Sequence, residues 1–505
     1  MIPASASDQQ DADALAALAE GRPALVWRRQ VADTDTPVSA ALKLMERERG
    51  DFLLESVEGG AIRGRYSLLG LAPDLVFRAQ GDQASINRDW ADDRTAFVDQ
   101  PGHPIAALRA LVAECRAEVP AALPPALACL VGYLGYETVG LVERLPRPPA
   151  NPLDVPDMLL VRPTLLLVFD RLSDELFLVA PVWTSNGNAD DAVAAAVARI
   201  GAVAARLAGP LPQVAAPSDM SGEPPAVISA LAPGDYRGMV ARAQDYIGAG
   251  DIFQVVLAQR FTLPFALPPL DLYRSLRRIN PSPFLYFLDL PGFALIGSSP
   301  EILVRVRDGE MTIRPIAGTR PRGRTAAEDA ANRESLLADA KERAEHLMLL
   351  DLGRNDAGRV AQAGSVRVTD SYTVEFYSHV MHIVSNVTAR LAPEHDALDA
   401  LFAGFPAGTV SGAPKVRACE IIAELEPETR GAYAGGVGYF SPDGSLDSCI
   451  VLRTAIVRDG AMHVHAGAGI VADSDPAAEQ RECEAKAGAL IAAATDALAR
   501  ASTRR

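Results

Sequence analysis

Hydrophobic positions along the chain follow two different periods, and segments with the two periods alternate. Short runs rich in Val, Leu and Phe, bounded by Gly, Pro or Asp, have the length and composition of β-strands; they occupy residues 51–60, 65–80, 126–137, 157–170 and 175–182. Longer runs with apolar residues three or four positions apart predict helices, among them residues 38–49, 190–207, 326–352 and 415–425. Strands outnumber helices in the first half, so the sequence predicts an α+β fold with a substantial antiparallel sheet.

One segment of the chain follows neither period. Between residues 209 and 226 Pro, Gly and Ser dominate, and such a composition is typical of a linker. The sequence therefore predicts an N-terminal region over residues 1–208 and a second region over residues 227–505, each long enough to bury a core of its own.

The composition narrows the class of protein. Of the 505 residues, 49% are hydrophobic and 22% are charged, and the formal net charge is −16. Nucleic-acid binding needs a basic surface, so that class of partner is not expected, and an anionic substrate would need a locally basic pocket. The five cysteines have no CxxC spacing, so the sequence predicts free thiols, a reducing compartment and no zinc site.

Targeting signals and repeats are not evident. The N-terminus lacks the basic and apolar stretches of a signal peptide, and no apolar run approaches the length that crosses a membrane. No repeat with a period of 20–50 residues is found in the sequence. The expected location is therefore the cytoplasm.

The stretch from residue 463 to residue 488 combines a strand, a glycine turn and a helix. Residues 463–465 alternate in polarity as a strand does, and Gly467 and Gly469 are expected to end that strand. Pro476 suits the first turn of a helix. An apolar stripe should anchor this helix in the core, and it consists of Ala487, Leu490, Ile491 and Ala494.

One face of this last helix carries Glu479, Glu482 and Lys486, at positions i, i+3 and i+7. Two carboxylates one turn apart could hold a hard cation such as Mg²⁺, which shares its coordination shell with water and substrate oxygens. The alternative is a solvated face on which a glutamate pairs with the lysine.

The predicted helix over residues 326–352 carries another carboxylate of interest. Glu345 lies beside His346 in a strongly apolar segment, and a buried carboxylate without a partner is costly. Glu345 is therefore expected to meet either an arginine or a metal ion, and both remain open. The core stripe of this helix is predicted to consist of Leu336, Leu337, Ala340, Ala344, Leu347 and Met348.

Three further segments have the chemistry to contact an anion. The glycine-rich loop 404–414 precedes a helix and could offer backbone N–H groups, although its spacing to Lys415 is not that of a P-loop. Arg453 interrupts an otherwise buried strand, so it should meet a buried anion. The third segment is a loop that either recognises carboxylates or is simply basic and exposed, and its arginines are Arg314, Arg320, Arg322 and Arg324.

Two histidines and a tyrosine complete the candidates. His379 and His382 are three residues apart in a strand-like run, so they face opposite sides and at most one enters a site. Tyr439 lies among glycines, which let another segment or a ligand approach closely.

Six motifs follow one another along the second half: PIAGTRPRG, EHLMLLDLGRND, GTVSGAPKVRA, GGVGYF, CIVLRTA and HAGAGIV with the charged residues of the last helix. In this order they resemble the chorismate-utilising enzymes and, within that family, the large subunits of anthranilate synthases. The resemblance covers the second half densely and the first half thinly. It implies a complex α+β fold in which two packed antiparallel sheets are surrounded by helices.

The resemblance also implies the residues of an active site. Glu345 and Glu482 match ligands of Mg²⁺, with Glu479 as a supporting carboxylate, and the cation would bridge to the ring carboxylate of chorismate. Glu301 resembles the general acid that helps the C4 hydroxyl leave, and His382 resembles a histidine associated with the elimination of pyruvate. The enolpyruvyl carboxylate would be held by Tyr439, Arg453 and the backbone of Gly467, Ala468 and Gly469. The pocket would be completed by Gly318, Thr319, Thr409 and Lys486.

Two positions separate the relatives within the family. Aminodeoxychorismate synthases commonly have lysine where this chain has Ala317, and isochorismate and salicylate synthases use a lysine to activate water where it has Gln254. Neither alanine nor glutamine can act as a nucleophile or base, so ammonia is expected to come from outside. The resemblance therefore implies conversion of chorismate and ammonia to anthranilate and pyruvate, the first committed step of tryptophan biosynthesis.

A partner is implied as well. No glutamine amidotransferase segment follows Lys486, which implies a hetero-oligomer with a separate small amidotransferase subunit as the ammonia source. Two alternatives are the large subunit of an aminodeoxychorismate synthase and a catalytically silent subunit that binds chorismate or tryptophan. The presence of Glu301, Glu345 and Glu482 argues against the silent subunit.

The first half resembles the regulatory part of feedback-inhibited members. The sequence LLES at residues 53–56 looks like their tryptophan-binding motif, although many bacterial members have Tyr and Met where this chain has Phe284 and Leu285. The alternative is a strand that simply passes through a core. The implied tryptophan-binding residues are Leu54, Glu55, Ser56, Asn280, Pro281, Pro283, Phe284, Leu285 and Cys449.

Overall fold

Antiparallel strands and surrounding helices make up the computed structural model, which describes residues 6–58, 62–146, 150–183, 188–212, 226–377 and 380–502. The strands are β1 (Ala24–Val31), β2 (Asp51–Glu58), β3 (Ile62–Gln80), β4 (Gln83–Asn87), β5 (Phe97–Gln100), β6 (Leu130–Leu134), β7 (Met158–Asp170), β8 (Glu175–Val182), β9 (Ile228–Ser229), β10 (Gln254–Pro264), β11 (Phe284–Leu290), β12 (Phe293–Ser299), β13 (Ile302–Arg307), β14 (Glu310–Ile313), β15 (Ile316–Pro321), β16 (Arg367–Phe376), β17 (Val380–Arg390), β18 (Gly412–Ala413), β19 (Gly436–Phe440), β20 (Leu446–Ile450), β21 (Thr454–Arg458) and β22 (Ala461–Ile470). The helices are α1 (Ala6–Ala19), α2 (Pro37–Leu44), α3 (Pro104–Glu114), α4 (Ala189–Leu207), α5 (Asp235–Ala249), α6 (Pro269–Ile279), α7 (Ala326–Ala338), α8 (Ala340–Gly358), α9 (Ala397–Gly404), α10 (Lys415–Leu425) and α11 (Pro476–Ser502).

The strands form one continuous hydrogen-bonded network, and the pairings between them are antiparallel. The branch point is β7, because its first half pairs with β6 and its second half with β8, while β3 runs along its whole length. One arm continues from β3 through β2, β11, β12, β21 and β22 to β10. The other continues from β6 through β19, β20, β13 and β14 to β17. The α+β class with antiparallel sheets is confirmed, and the two expected sheets are joined at β7.

Strands in the middle of the network, such as β7 and β11, bury both of their faces, which explains their long apolar runs. On β2, Phe52 belongs to a cluster of side chains from both arms, whereas Leu53 belongs to a cluster that includes the helices. Leu68 and Leu69 on β3 divide in the same way. Successive side chains of a strand point to opposite faces, so β2 and β3 each contribute to a core between the arms and to a core beneath the helices.

Among the described residues, two strand pairings join the first half of the chain to the second. Ser56 of β2 lies opposite Phe284 of β11, and β6 pairs with β19 from Gly436 to Phe440. The two predicted regions thus share hydrogen-bonded strands. The predicted linker over residues 209–226 lies for the most part outside the described residues, and the division of the chain there stays a prediction.

α2 ends five residues earlier than its hydrophobic pattern predicts. The pattern places the end at Arg49, but the helix stops at Leu44 because Met45 adopts an extended conformation. Arg49 instead forms a bidentate ion pair with the fully buried Asp51, with N–O distances of 2.9 and 2.7 Å. A buried carboxylate needs such a partner, so this ion pair fixes the point where helix gives way to strand.

The single long helix predicted over residues 326–352 is wrong. Asp339 divides it into α7 and α8, and the Asp339 carboxylate accepts hydrogen bonds from the backbone N–H groups of Lys341 and Glu342. Short polar side chains commonly begin helices in this way. α8 then continues to Gly358, beyond the predicted end.

The predicted core stripe is also wrong on α8. Leu347 is 56% exposed and Ala340 and Ala344 are exposed, because the restart of the helix at Asp339 turns a different face inward. The residues that α8 buries are His346, Leu349, Leu350, Gly353, Asp356 and Ala357.

Two predictions from composition concern the whole chain. The five cysteines are all free and buried, as their spacing predicts. No helix within the described ranges is long and apolar enough to cross a membrane.

Candidate active site

A cavity of about 750 Å³ lies among β10, β22, α8 and α11. Its size suits a small organic molecule. Nine predicted site residues, from distant parts of the sequence, line it together: Glu301, Glu345, Thr409, Arg453, Gly467, Gly469, Glu479, Glu482 and Lys486. This convergence makes the cavity, here called the first cavity, the candidate active site.

Gly467 and Gly469 form one wall of the first cavity. Both lie within β22, which pairs with β10 as far as Ile470, so the prediction that they end the strand is wrong. They are needed for space rather than for a turn: a Cβ atom on Gly467 would lie 2.8 Å from the carbonyl oxygen of Leu257. Ala468 between them does not line the cavity and is fully buried in the core.

Gly467→Ala is expected to lower the kcat/KM of the reaction in the first cavity by about 10-fold or more. It is also expected to lower the free energy of unfolding by about 1–3 kcal/mol. The added methyl group must displace the Leu257 backbone or the hydroxyl of Tyr433, both 2.8 Å away. Steady-state kinetics and thermal unfolding measure the two effects. Gly488→Ala on α11 is the control, since its Cβ would meet nothing within 4 Å. Equal kinetics in the two variants would contradict the close approach.

Carboxylates from α8 and α11 share the first cavity. Glu482 pairs with Lys486 at 2.8 Å, and the Lys486 ammonium also donates to the carbonyl oxygen of Gly467 at 2.9 Å. Glu345 forms no ion pair within the described ranges. Burial, followed by the charges of Glu342 and Glu482, raises the pKa of Glu345. The sequence left two possible partners for Glu345, an arginine and a metal ion. The described part of the chain provides no arginine for it.

These carboxylates fit a divalent cation that takes its other ligands from outside the protein. No three His, Cys, Asp or Glu side chains among the described residues converge closely enough to hold a metal by themselves. Mg²⁺, however, is commonly held by one or two carboxylates, with water and substrate oxygens completing its octahedron. Glu345 and Glu482, whose charges act on each other, fit that role. Burial also raises the pKa of Glu479, and the charge of Glu482 adds to the effect.

Arg453 brings an unpaired positive charge to the same cavity. β20 ends at Ile450 and β21 begins at Thr454, so Arg453 lies in the short connection between them and not, as predicted, within a strand. Its φ of 48° is a strained conformation for a residue other than glycine, and such strain is concentrated at functional sites. Arg453 forms no ion pair in the part of the chain that the structure describes, and burial lowers its pKa. Its guanidinium is therefore available to an anionic ligand.

Glu301 supplies an acid to the first cavity. Its side chain is buried, and the hydroxyl of Thr409 donates a hydrogen bond to it at 3.2 Å. Burial raises the pKa of Glu301 to about 8, and the hydrogen bond from Thr409 opposes part of that rise. A carboxyl with this pKa keeps its proton at neutral pH and can still donate it, which is the requirement for a general acid.

His382, Gly318 and Thr319 do not line the first cavity. They form a separate cluster in which Nδ1 of His382 lies 3.0 Å from the carbonyl oxygen of Gly318 and 3.1 Å from the hydroxyl of Thr319. Burial lowers the pKa of His382 to about 4, and the charge of Arg453 acts in the same direction. The ring is therefore neutral at pH 7. His379 lies outside the described residues.

The other basic segments are engaged in ion pairs with neighbouring acids. Three of the four arginines in the 314–324 loop are paired in this way, and so is the lysine after loop 404–414. Neighbouring carboxylates therefore neutralise these positive charges. The pairs are Arg314–Glu375, Arg320–Asp339, Arg322–Asp329 and Lys415–Asp356.

A second cavity, of about 690 Å³, contains seven of the nine predicted tryptophan-binding residues: Leu54, Glu55, Ser56, Pro283, Phe284, Leu285 and Cys449. Asn280 and Pro281 do not line it. Asn280 is the C-cap residue of α6, and its carbonyl oxygen accepts a hydrogen bond from the hydroxyl of Ser298. Tyr439 lines this second cavity and not the first. Its predicted place beside Arg453 is therefore corrected: Tyr439 lies on β19 opposite Asp447 of β20, in the other arm from β10 and β22.

The LLES strand has two faces with different roles. The Glu55 carboxylate accepts hydrogen bonds from the Arg277 guanidinium at 2.9 Å and from the Tyr273 hydroxyl at 2.6 Å, so it ties β2 to α6. Leu54 and Ser56 alternate with it and line the second cavity. Glu55 also borders the second cavity, but its carboxylate is engaged by Arg277 and Tyr273.

Sequence reasoning missed several residues of the first cavity. The rings of Tyr433 and His465 stack with their centroids 5.7 Å apart, and Lys341 also lines the space. The buried side-chain oxygen of Gln254 has no hydrogen-bond partner among the described residues. Tyr433 lies outside any periodic segment, so no pattern could have indicated it. Lys341 follows the helix break at Asp339, which was itself missed.

Comparison with known proteins defines the class to which this fold and cavity belong. Residues 52–492 match the family described as chorismate binding enzyme. The chain belongs to this family, and the resemblance inferred from the six motifs is confirmed.

Particular relatives narrow the comparison further. The chain is 53% identical over 490 residues to anthranilate synthase component 1 of Cereibacter sphaeroides, with 94% of this chain and 95% of that one covered. The structure of anthranilate synthase component I from Streptococcus pneumoniae superimposes with a TM-score of 0.74 at 35% identity, covering 92% and 99% of the two chains. The menaquinone-specific isochorismate synthase from Escherichia coli, at 20% identity, has a TM-score of 0.70 and covers 96% and 99%. The last comparison shows a shared fold alone, so the fold does not distinguish the reactions.

Proposed function

We propose that the chain is the large subunit of an anthranilate synthase, which converts chorismate and ammonia to anthranilate and pyruvate. The observation that carries the proposal is the charge arrangement of the first cavity. An unpaired Arg453, an unpaired Glu345 and the protonated carboxyl of Glu301 line one space. Chorismate has two carboxylates and a hydroxyl leaving group, so it needs positive charge at two places and a proton at a third. The identity of 53% with an anthranilate synthase component 1 supports the same reaction.

Each group has a proposed role. Arg453 binds the enolpyruvyl carboxylate through its guanidinium fork. Glu345 and Glu482 hold Mg²⁺, which when bound neutralises the ring carboxylate and the negative charge that develops nearby. Glu301 gives its proton to the departing hydroxyl, and Thr409 orients the carboxyl that does so.

Two side chains have supporting roles. Lys486 joins Glu482 to the Gly467 carbonyl group, so it fixes the acidic helix relative to the glycine strand. Glu479 adds negative charge one turn before Glu482. His382 lies outside the first cavity, and its neutral ring, with a pKa lowered to about 4, contacts Gly318 and Thr319 on the neighbouring β15; its part in the elimination of pyruvate stays a prediction.

Ammonia is proposed to come from a separate glutamine amidotransferase subunit. Ala317 and Gln254 cannot supply a nucleophile or a base of their own, and the relatives are named component 1, which supports a second component. We place the complex in the cytoplasm, which is in keeping with five free and buried cysteines.

Product analysis tests the proposed function. Purified chain is incubated with chorismate, Mg²⁺ and isotopically labelled ammonium. The products are then separated and identified by mass spectrometry. The expected products are labelled anthranilate and one equivalent of pyruvate. A labelled 4-amino product that retains its enolpyruvyl group would favour an aminodeoxychorismate synthase. Binding of tryptophan without any consumption of chorismate would favour a silent regulatory subunit.

We also propose that the second cavity binds tryptophan and thereby inhibits turnover. Its volume of about 690 Å³ admits an indole ring, and Leu54, Phe284 and Leu285 provide apolar walls. Pro300 lines both cavities and directly precedes Glu301. A ligand that shifts this shared wall would therefore act on the acid of the first cavity.

Ser56→Ala is expected to raise the inhibition constant for tryptophan by about 10-fold, the effect of losing one good hydrogen bond. The KM for chorismate should not change, because Ser56 lines the second cavity and not the first. Initial rates at several tryptophan concentrations measure both quantities. Ser67→Ala is the matched control, since Ser67 lies opposite Glu55 on the neighbouring β3 and does not line the cavity. Unchanged inhibition in Ser56→Ala would move the effector site elsewhere.

A further inference from the structure

A fully buried ion pair lies along the edge of β10 that β22 does not occupy. Arg430 is 1% exposed and Glu426 is 5% exposed. The guanidinium of Arg430 donates a hydrogen bond to each of the two carboxylate oxygens of Glu426, at 2.8 and 2.6 Å. Neither residue lines the first cavity, and the proposed chemistry does not use them. A buried ion pair by itself is weak evidence for a contribution to stability. The position of this pair therefore needs a different explanation.

This ion pair takes the place of a missing neighbouring strand. On the edge of β10 away from β22, β18 pairs with Gln254 and Val255, and β9 pairs with Phe261 and Thr262. The part of β10 between these two short pairings has no neighbouring strand. In this gap Arg430 donates to the carbonyl oxygen of Val256 at 2.7 Å, and Glu426 accepts from the N–H of Ala258 at 2.8 Å. Buried backbone groups must find partners, and here the two side chains provide them.

The two residues held in this way lie directly behind the glycine wall of the cavity. Val256 is opposite Gly469 in the β10–β22 register, and Ala258 is opposite Gly467. The ion pair therefore fixes the strand against which the two glycines are packed.

The same guanidinium also reaches a second wall of the first cavity. Arg430 donates through Nη1 to the carbonyl oxygen of Val410 at 2.7 Å. Val410 ends the short 3-10 turn that carries Thr409, and Thr409 donates the hydrogen bond to Glu301. One planar group thus sets the separation between β10 and the turn that orients the acid.

Aromatic rings and a second carboxylate hold Arg430 itself in one orientation. The guanidinium carbon lies 4.6 Å from the ring centroid of Tyr136 and 5.6 Å from that of Tyr433. The backbone N–H groups of Arg430 and Gly431 donate to Glu137 at 2.7 and 3.0 Å. Cation–π contacts and charge-assisted hydrogen bonds of this kind leave the guanidinium little freedom.

We propose that Arg430 is a positioning residue for catalysis, which holds the backbone of Val256 and Val410 so that Thr409 keeps the Glu301 carboxyl aimed into the first cavity. The inference rests on the proposed function, because the catalytic step it serves is the loss of the hydroxyl. A lysine could keep the charge but not the planar fork that reaches two carbonyl oxygens and a carboxylate together.

Arg430→Lys in the full chain tests the inference. We expect kcat for anthranilate formation to fall by about 10-fold to 100-fold with the KM for chorismate changed by less than about threefold, since Arg453 and the carboxylates are untouched. The alkaline limb of kcat should also move to higher pH, because the hydrogen bond from Thr409 holds the pKa of Glu301 down. Arg260→Lys is the matched control. Arg260 lies on β10 itself and forms a bidentate pair with Glu428, at 2.9 Å for both contacts, and it does not line the cavity.

The outcomes separate the inference from the proposed function. A parent chain that makes no anthranilate would contradict the proposed function. A parent that turns over and an Arg430→Lys variant with parental kcat and pH profile would overturn only the inference, and so would equal losses in Arg430→Lys and Arg260→Lys. If Arg430→Lys does not fold, the double variant Arg430→Gln/Glu426→Gln, which removes both charges together, is judged by the same criteria.

Discussion

Glu301→Gln is expected to lower kcat for anthranilate formation by about 10²–10⁴-fold, the usual contribution of a general acid. The amide keeps the shape of the side chain and can still accept the hydrogen bond from Thr409, but it has no proton of suitable acidity. The KM for chorismate should change little, because Arg453 is unaffected. Folding should be preserved as well, since a neutral group replaces a carboxyl that the folded protein keeps neutral. Anthranilate fluorescence gives kcat and KM in one experiment.

The pH dependence of the parent chain gives an independent check on Glu301. Burial raises its pKa to about 8, so kcat, expressed per unprotonated ammonia, is expected to fall as the pH rises through about 8. Glu301→Gln should lack this limb. The shift also affects stability: the folded state retains a proton that the unfolded chain loses at ordinary carboxyl pKa values. The contribution of Glu301 to the free energy of unfolding therefore falls as the pH rises towards about 8.

Glu310→Gln provides the matched control for this prediction. Glu310 lies on β14, in the hairpin that β13 forms directly after Glu301, and its side chain is exposed. It does not line the first cavity, so parental kcat is expected. Parental kcat in Glu301→Gln itself would remove Glu301 from the role of general acid.

Glu345→Gln and Glu482→Gln should each raise the Mg²⁺ concentration for half-maximal rate by about 100-fold or more, the upper range for groups that support a metal site. The reason is that no three carboxylates among the described residues converge closely enough to hold a metal, so the loss of Glu345 or Glu482 leaves one direct ligand, with Glu479 only as a supporting charge. Both variants should fold, because Glu345 has no arginine or lysine partner in the described ranges and the Glu482 side chain is 49% exposed. Initial rates over a magnesium titration measure the effect.

Glu484→Gln on the same helix is the control for the metal prediction. Its carboxylate accepts a hydrogen bond from Gln480, and it does not line the first cavity. An unchanged magnesium titration is therefore expected. If Glu345→Gln or Glu482→Gln also kept the parental magnesium dependence, that residue would be excluded from the cation site.

The strands of this protein could be predicted from sequence because their composition and the Gly, Pro or Asp residues that bound them are local signals. β8 was predicted with its observed limits, residues 175–182, and the apolar runs of β2 and β7 lie where Val, Leu and Phe cluster. The helices were less predictable where a side chain outside the hydrophobic period decides the end. Asp339 divides the predicted helix by capping α8, and the Arg49–Asp51 ion pair shortens α2.

The active site could be predicted only as far as the motifs identify a family. Alternation and spacing placed Glu479, Glu482 and Lys486 on one helix face, and the structure places them in one cavity. No local signal could divide the predicted residues between two cavities, because that division depends on which arm of the sheet carries each strand. Tyr439 was therefore assigned beside Arg453, whereas β19 carries it into the second cavity. The buried Arg430–Glu426 pair was missed for the same reason: its partners on β10 lie about 170 residues away in the sequence.

The most direct test of the proposed function is anthranilate fluorescence from the purified chain with chorismate and an ammonium salt, recorded with and without Mg²⁺. We expect a fluorescence increase that requires the metal and stops when it is chelated, because Glu345 and Glu482 alone leave the ring carboxylate without a counter-charge. Chorismate that is not consumed in the presence of ammonia and Mg²⁺, in a preparation shown to be folded, would contradict the proposed function.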